Sequence, residues 1–489
     1  MTKNSSKQDH CEQTDATATE LRAAWDDMLA GLAEARDAID TPAGMPPPAT
    51  ERILAEGYRY LMGFAHSAIE RAFFEDPAFP TFRHALQILN KGTIDNADAI
   101  YFMAPVNGRQ NYIVSGQAGD HRHWQGEHRQ GNAASDSARK APQYLIFEAS
   151  DGCIAGDSGS LGELRPGVKA RTGMIDSSTL EVNADGSFEI LVAPERPAGH
   201  EGNFLATSRS TSRPNPDDPS SEKIDGRFER FACYLSGRQL FYDWGREDPV
   251  ALTIRPLGTQ GTLTPAYAPP AYKPAQSAAA LRRAGALVRG QMKFWNEFNT
   301  VLLETHGKPD GSDGERFMPR NSFNQPNAAS GATGGGQSTN IYAGGVFELE
   351  PDEALIVTSR VMVEPSYLGF SMSNLWGESL DFANHQSSLN GFQAEPDSDG
   401  AWRFVVAHQD PGIPNWLDTT GHREGYLSPR WAYSTPPPKE KWPTISAEKV
   451  AFDRIREYLP SSTRTVSSEE REQQIHARQE HVQRRYRCF

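Results

Sequence analysis

Asp185-Gly-Ser-Phe-Glu-Ile-Leu-Val-Ala193 and Asp399-Gly-Ala-Trp-Arg-Phe-Val-Val-Ala407 are two versions of one pattern. In each, an Asp-Gly pair suits a tight turn, because glycine tolerates positive φ, and the apolar-rich run behind it reads as a half-buried strand. Each run is followed by a Pro-containing loop, closing in Asn203-Phe204-Leu205 in the first case and Asn415-Trp416-Leu417 in the second. The shared element is a turn, a strand, a loop and an Asn-aromatic-Leu landing, and duplication of one β unit is the economical reading. The asparagine amide has the chemistry to tie such a loop to its neighbouring backbone.

Working outward, short aromatic and β-branched runs separated by Gly, Asn, Asp and Pro fill Asn96 to Ile254: AIYFMAPV, QNYIVSG, PQYLIFEA, SFEILVA, FERFACYL and QLFYDW. A second set, GVFELE, EALIVTSRVM, YLGFSMSNL, AWRFVVAHQ and GYLSPRWAY, follows a Gly/Asn-rich loop. Both sets predict antiparallel β structure. Helical spacing marks Glu20 to Ile39, Thr50 to Phe74 with Thr50 as N-cap, and Ser277 to His306 between the two β sets. On the second helix, Ile53, Leu54, Tyr58, Leu61, Met62, Ala65 and Ile69 are expected on the buried face. The charged stretch Ala447 to Phe489 is expected to be helical. The fold class is therefore mainly β with helical additions. Two related antiparallel β-sandwich lobes carry an N-terminal helical cap, an inter-lobe helix and a C-terminal helical arm. The boundaries read as a disordered tail at 1–18, a helical region at 19–80, a first lobe at 81–262, a connector and helix at 263–306, a second lobe at 307–437 and the arm at 438–489.

Composition narrows the function. A chain of 489 residues with net charge −14 and no long Lys/Arg run lacks the cationic face that phosphate backbones and anionic membranes require, so neither nucleic acid nor membrane is an expected partner. The N-terminus carries no signal pattern and no stretch reaches the ~18 apolar residues of a membrane span. The four cysteines, Cys11, Cys153, Cys233 and Cys488, have no C-x-x-C spacing and read as reduced thiols. A cytoplasmic location is expected.

With these motifs the sequence resembles the bacterial proteins that carry domain of unknown function 1214. The resemblance rests on DGSFEILVAPERPAGHEGNFL with RQLFYDWGREDP, on NIYAGGVFELEPDEALIV, and on DGAWRFVVAHQDPGIPNWLDTTGHREGYLSPRW. It implies paired jelly-roll-like sandwich domains that often form oligomers, so further copies of this chain are expected partners. The first copy departs from the pattern, with Phe204 in place of the usual Trp and no following Asp-Thr-Thr-Gly. The second copy is the better place for a site.

There, Asp410 to His422 packs an amide, an indole, a carboxylate, hydroxyls and an imidazole into one irregular stretch on a rigid scaffold. His422 and Asp418 have the chemistry of an oriented acid–base pair, with Asn415, Trp416, Arg430 and Trp431 as binding groups. A second polar cluster contains Asn384, His385, Ser387, Ser388 and Asn390, of which Asn384 and Ser388 join the binding set. Trp244, Trp376, Trp402, Trp416 and Trp431 point to an apolar or ring-containing small organic ligand. A self-satisfied structural loop in a binding or assembly protein is the competing account. A third reading is cupin-like: His121, His123 and Glu127 in H-x-H-x-x-x-E order, with His200, as ligands to a divalent iron, manganese or zinc ion. The protease-like string at Cys153 to Ser160 lacks its partners, and the Gly-rich run at Gly331 to Ser338 lacks the lysine of a phosphate loop.

Overall fold

The computed structural model describes residues 2–40, 50–88, 90–125, 139–153, 159–165, 167–212, 228–258, 273–305, 319–328 and 339–486. The first lobe contains β1 (Arg83–Leu86), β2 (Ala99–Pro105), β3 (Asn111–Gln117), β4 (Tyr144–Ser150), β5 (Arg171–Asp176), β6 (Ser187–Ala193), β7 (Phe204–Ala206), β8 (Ser208–Thr211), β9 (Phe228–Phe231), β10 (Tyr234–Leu240) and β11 (Ala251–Leu257). Its sheets run β1-β2-β10-β4-β5 and β11-β3-β6-β7, with β8 and β9 as a separate pair. Phe102, Phe147 and Leu235 from one sheet meet Tyr112, Val114, Phe188 and Ile190 from the other in a single core, so the sheets pack face to face.

The second lobe contains β12 (Asn340–Tyr342), β13 (Gly345–Glu348), β14 (Glu353–Arg360), β15 (Tyr367–Ser373), β16 (Ser388–Asn390), β17 (Trp402–Ala407), β18 (Trp416–Asp418), β19 (Glu424–Ala432) and β20 (Thr444–Ala451). Its sheets run β12-β19-β15-β16, with β13 also on β19, and β18-β17-β14-β20. The four-stranded sheets share one order, with β14 where β3 stands and β17 where β6 stands, whereas the five-stranded sheets differ: β1 extends the first beyond β2, and β12 and β13 both pair with β19 in the second. Both lobes include one parallel pair at the same place, Leu191 beside Phe204 and Val405 beside Trp416. Thr444–Ala451, expected in the helical arm, is instead an edge strand paired along its whole length with β14, because β14 would otherwise present an open edge.

The repeated motif does the same work twice. The Asp-Gly turns place Gly186 and Gly400 at φ 85° and 75°, where a side chain is strained. Asn203 donates to the carbonyls of Glu181 and Glu189 and accepts from Glu181 N. Asn415 donates to the carbonyls of Glu395 and Arg403 and accepts from Glu395 N. Ala99 and Leu240 of the first lobe pack against Tyr367 and Ala432 of the second and close the seam between them.

Four described α-helices complete the chain: α1 (Thr2–Asp40), α2 (Glu51–Phe74), α3 (Pro274–Thr305) and α4 (Ser468–Arg485). α1 begins at Thr2, well ahead of the apolar spacing, since extending a formed helix costs far less than nucleating it. α3 lies between the lobes in sequence but packs in space on α1 and α2. Gly31 and Gly285 allow the α1–α3 approach, for a Cβ on Gly31 would sit 2.5 Å from the Gly285 carbonyl oxygen. α2 is capped by Thr50 as expected. Its buried face is Tyr60, Leu61, Phe64, Ala65 and Ala68, whereas Tyr58, Met62 and Ile69 stand 44, 60 and 42% exposed. The true core stripe is rotated because α2 faces both α3 and the second lobe, where Tyr60 stacks on Trp376. Among the described residues no helix is long and apolar enough to cross a membrane.

Candidate functional site

α2 lies against the end of the second lobe that carries the 381–388 and 418–422 segments. Between them is a cavity of about 360 Å³, lined by Arg52, Glu56 and Arg59 from α2, by Lys91, and by Asn374, Asp381, Phe382, Asn384, His385, Thr420 and His422. Two carboxylate–imidazole pairs sit on its wall, and they exchange the partners expected from the sequence. His422 bonds through Nε2 to Glu56 at 2.7 Å, across the whole length of the chain. Its Nδ1 lies 2.9 Å from the Thr419 carbonyl and 2.8 Å from the Thr420 hydroxyl. The Glu56 carboxylate only accepts, so Nε2 carries a proton, whereas Nδ1 faces both a carbonyl that accepts and a hydroxyl that can donate or accept. Asp418 is taken by His385 instead: its Oδ2 lies 2.7 Å from His385 Nδ1, while Oδ1 accepts from Thr420 N. Nε2 of His385 makes no hydrogen bond among the described residues, and the side chain is 43% exposed.

The remaining groups form a charged frame. Burial pushes the Glu56 carboxyl up, but the hydrogen bonds and charges of His422 and Arg52 outweigh it and hold the carboxyl below its ordinary range. Glu378, almost fully buried behind Asn374, is shifted the other way: burial raises it despite the Arg59 guanidinium at 2.7 Å. Lys91 is buried with its ammonium on the carbonyls of Ser379 and Leu380 and 4.6 Å from the Phe382 ring, and burial lowers its pKa. Asp95 binds both the amide and the hydroxyl of Ser379. Between Lys91 and Asp95, Thr93 and Ile94 hold φ of 63° and 55°, and Thr420 holds 52°. Positive φ at β-branched residues costs about 1–3 kcal/mol each. Of the four non-glycine residues with positive φ among the described residues, Thr420 lines the cavity, and Thr93 and Ile94 follow the cavity-lining Lys91 by two and three positions.

The other residues singled out in the sequence lie elsewhere. Asn384 lines the cavity, with its amide on Asp381 and Gln479. Asn415 is spent on its loop. Trp416 is buried in the core beneath β17, its indole N–H on the Ala407 carbonyl and its ring under Arg471. Trp431 is fully buried in the second core, and Arg430 is buried with its guanidinium 6.0 Å from the Tyr342 ring. Ser388 is buried under α4, where it bonds Arg478. Trp244 and Trp376 are likewise core residues and Trp402 packs against the second core, so the tryptophans do not form a ring-binding wall. His123 sits on a short 3-10 turn and His121 just before it, neither on a strand face, and each is tied to backbone: His121 to Gly119, and His123 through Nε2 to Pro142. His200 bonds the Asn203 carbonyl. Glu127 lies outside the described residues. Among the described residues no group of three or more His, Cys, Asp and Glu side chains is placed to hold a metal ion. Sequence reading missed Glu56, Arg52, Arg59 and Lys91. Their only signal is the i,i+4 and i,i+7 placement of Arg52, Glu56 and Arg59 on one polar edge of α2.

Fold and site together define a two-lobed β-sandwich protein with a polar cavity between α2 and the second lobe. Residues 164–213, which include β5, the first Asp-Gly turn and β6 to β8, match the family described as Protein of unknown function (DUF1214). The chain is similar to the crystal structure of an uncharacterised protein from Burkholderia cenocepacia, at 26% identity and TM-score 0.66, covering 90% of this chain and 100% of that one. A further match, to the VPA0106 protein from Vibrio parahaemolyticus, has 12% identity and TM-score 0.37, covering 86% of this chain and 100% of that one. No curated protein matches the chain in sequence.

Proposed function

We propose that the chain is an enzyme that moves a proton on a small organic anion bound in the cavity between α2 and the second lobe. The observation that carries this reading is the Asp418–His385 pair. A carboxylate on Nδ1 holds the neutral ring in the tautomer whose Nε2 lone pair is open, which is the form a general base needs. His422 is hydrogen-bonded at both nitrogens and so offers no open lone pair to act as the base. Arg52 and Arg59 lie seven residues apart on one helix face; each commits part of its guanidinium to a carboxylate, Glu56 or Glu378, and keeps further N–H donors. Such forks suit a carboxylate or phosphate group on the ligand, with Ile88 and Phe382 beside its apolar part.

The test is a turnover screen over small organic acids and their esters, with Asp418→Asn and His385→Gln alongside. Loss of a positioned general base removes about 10²–10⁴ of rate, so both variants should drop by that factor while unfolding like the parent. Saturable binding without turnover in any assay would leave a ligand-binding protein and overturn the catalytic reading. Turnover that survives both substitutions would do the same for the role of His385.

A further inference from the structure

We infer that α4 is a clamp that sets the His385 wall of the cavity, with Arg478 and Gln479 as its positioning residues. The inference rests on the acid–base reading of that wall. Arg471, Arg478 and Arg485 recur every seven residues, which returns each to the same stripe of the helix. All three are buried. Arg478 brackets the segment that carries His385: its Nε donates to the Phe382 carbonyl at 2.9 Å, and its Nη2 donates to the carbonyl and hydroxyl of Ser388 at 2.9 and 2.7 Å. Between these anchors Gln479 donates to the Asn384 side-chain oxygen at 3.0 Å, one residue from the imidazole. On the other side Arg471 donates to Gln386 Oε1 at 2.7 Å. Gln386 in turn donates to the carbonyls of Pro414 and Trp416, and its own carbonyl accepts from Asp418 N at 2.9 Å. The chain that bears the base and the strand that bears its carboxylate are therefore registered to each other through residues that α4 holds.

Burying a guanidinium against carbonyls and a hydroxyl, with no carboxylate bonded to Arg478 among the described residues, is an expensive way to stabilise a fold. It is an effective way to fix one, since the planar fork reaches two points of the backbone six residues apart. His422, on the same cavity, is held by Glu56 of α2 and, among the described residues, makes no hydrogen bond to α4. The two imidazoles are linked through Thr420, whose amide bonds Asp418 and whose hydroxyl bonds His422 Nδ1, so His422 is the more distant reference for a change at His385.

The experiment is imidazole ¹⁵N NMR on the full-length chain, comparing Gln479→Ala and Arg478→Lys with the parent. In the parent, His385 should show the Nδ1–H tautomer imposed by Asp418. Both variants should shift its tautomer ratio toward that of free imidazole, by up to about tenfold for the loss of a hydrogen bond or two, and move the His422 signals less. Gln479 is only half-buried, so its variant keeps the measurement open should Arg478→Lys fold poorly. An unmoved His385 in a folded Gln479→Ala variant, or equal changes at His385 and His422, would overturn the clamp. A parent His385 without the Nδ1–H tautomer would instead remove the acid–base reading, and faster amide exchange at 382–388 than at 420–422 in Gln479→Ala would still show the clamp.

Discussion

Replacing Asn415 by alanine should cost stability rather than chemistry, and the size of the loss follows from its contacts. The amide donates to the Glu395 and Arg403 carbonyls at 2.7 and 2.9 Å and accepts from Glu395 N at 2.8 Å, at a residue 6% exposed. Alanine leaves three backbone groups without partners at a place water reaches poorly. At about 0.5–1.5 kcal/mol per net hydrogen bond, the loss is about 2–4 kcal/mol. Asn203 makes the same three bonds in the first lobe at a more accessible site, where water replaces part of what is lost, so Asn203→Ala should cost about 1–2 kcal/mol. Because the two sites share no partner, the double variant should be additive within about 0.5 kcal/mol. Equilibrium urea unfolding of the four proteins measures all of this. An Asn415→Ala protein as stable as the parent but without turnover would refute the structural assignment and move the asparagine into the site.

Glu56→Gln removes the anion opposite His422 while keeping the shape of the side chain. Stability should fall by about 1–3 kcal/mol at pH 7, read by thermal unfolding, and the difference should shrink in acid. A carboxyl held below its ordinary pKa in the folded state stabilises above the unfolded pKa and loses that contribution as the pH falls through the folded one. His481 has the opposite charge type. It is buried between Phe241 and Trp244 with Arg485 Nε donating to its Nε2, and burial, with Arg485, Arg484 and Arg139 nearby, holds its pKa well below the ordinary value. The unfolded ring binds a proton first, so the α4 docking it supports is intact above about pH 6.5 and weakens below it. Amide exchange over α4 should accelerate between pH 7 and 5 in the parent and much less in His481→Phe; equal acceleration would refute the assignment. Gly31→Leu should push α1 off α3, at a cost of several kcal/mol read by chemical denaturation, because its Cβ would overlap the Gly285 carbonyl. An unchanged midpoint would mean that the helices do not cross at these glycines.

The sequence alone determined what depends on near neighbours. Period-two runs behind Asp-Gly turns are strands because the turn residues and the alternation act within a few positions, and the Asn-aromatic-Leu landing marked the same loop in both copies. Thr50 was legible as a helix cap for the same reason. Helix faces were less so: the spacing in α2 is compatible with two stripes, and only the position of Trp376 and α3 selected the one with Tyr60 and Phe64. The site was half visible. His422, Asp418, Asn384 and His385 could be named, but their pairing could not, because which imidazole meets which carboxylate is settled by how α2 and the 381–388 segment are laid against the second lobe. Glu56 and His422 are 366 positions apart, and Gln479 and Asn384 are 95 apart. Contacts of that separation leave no periodic trace in either segment, so they belong to the tertiary structure alone.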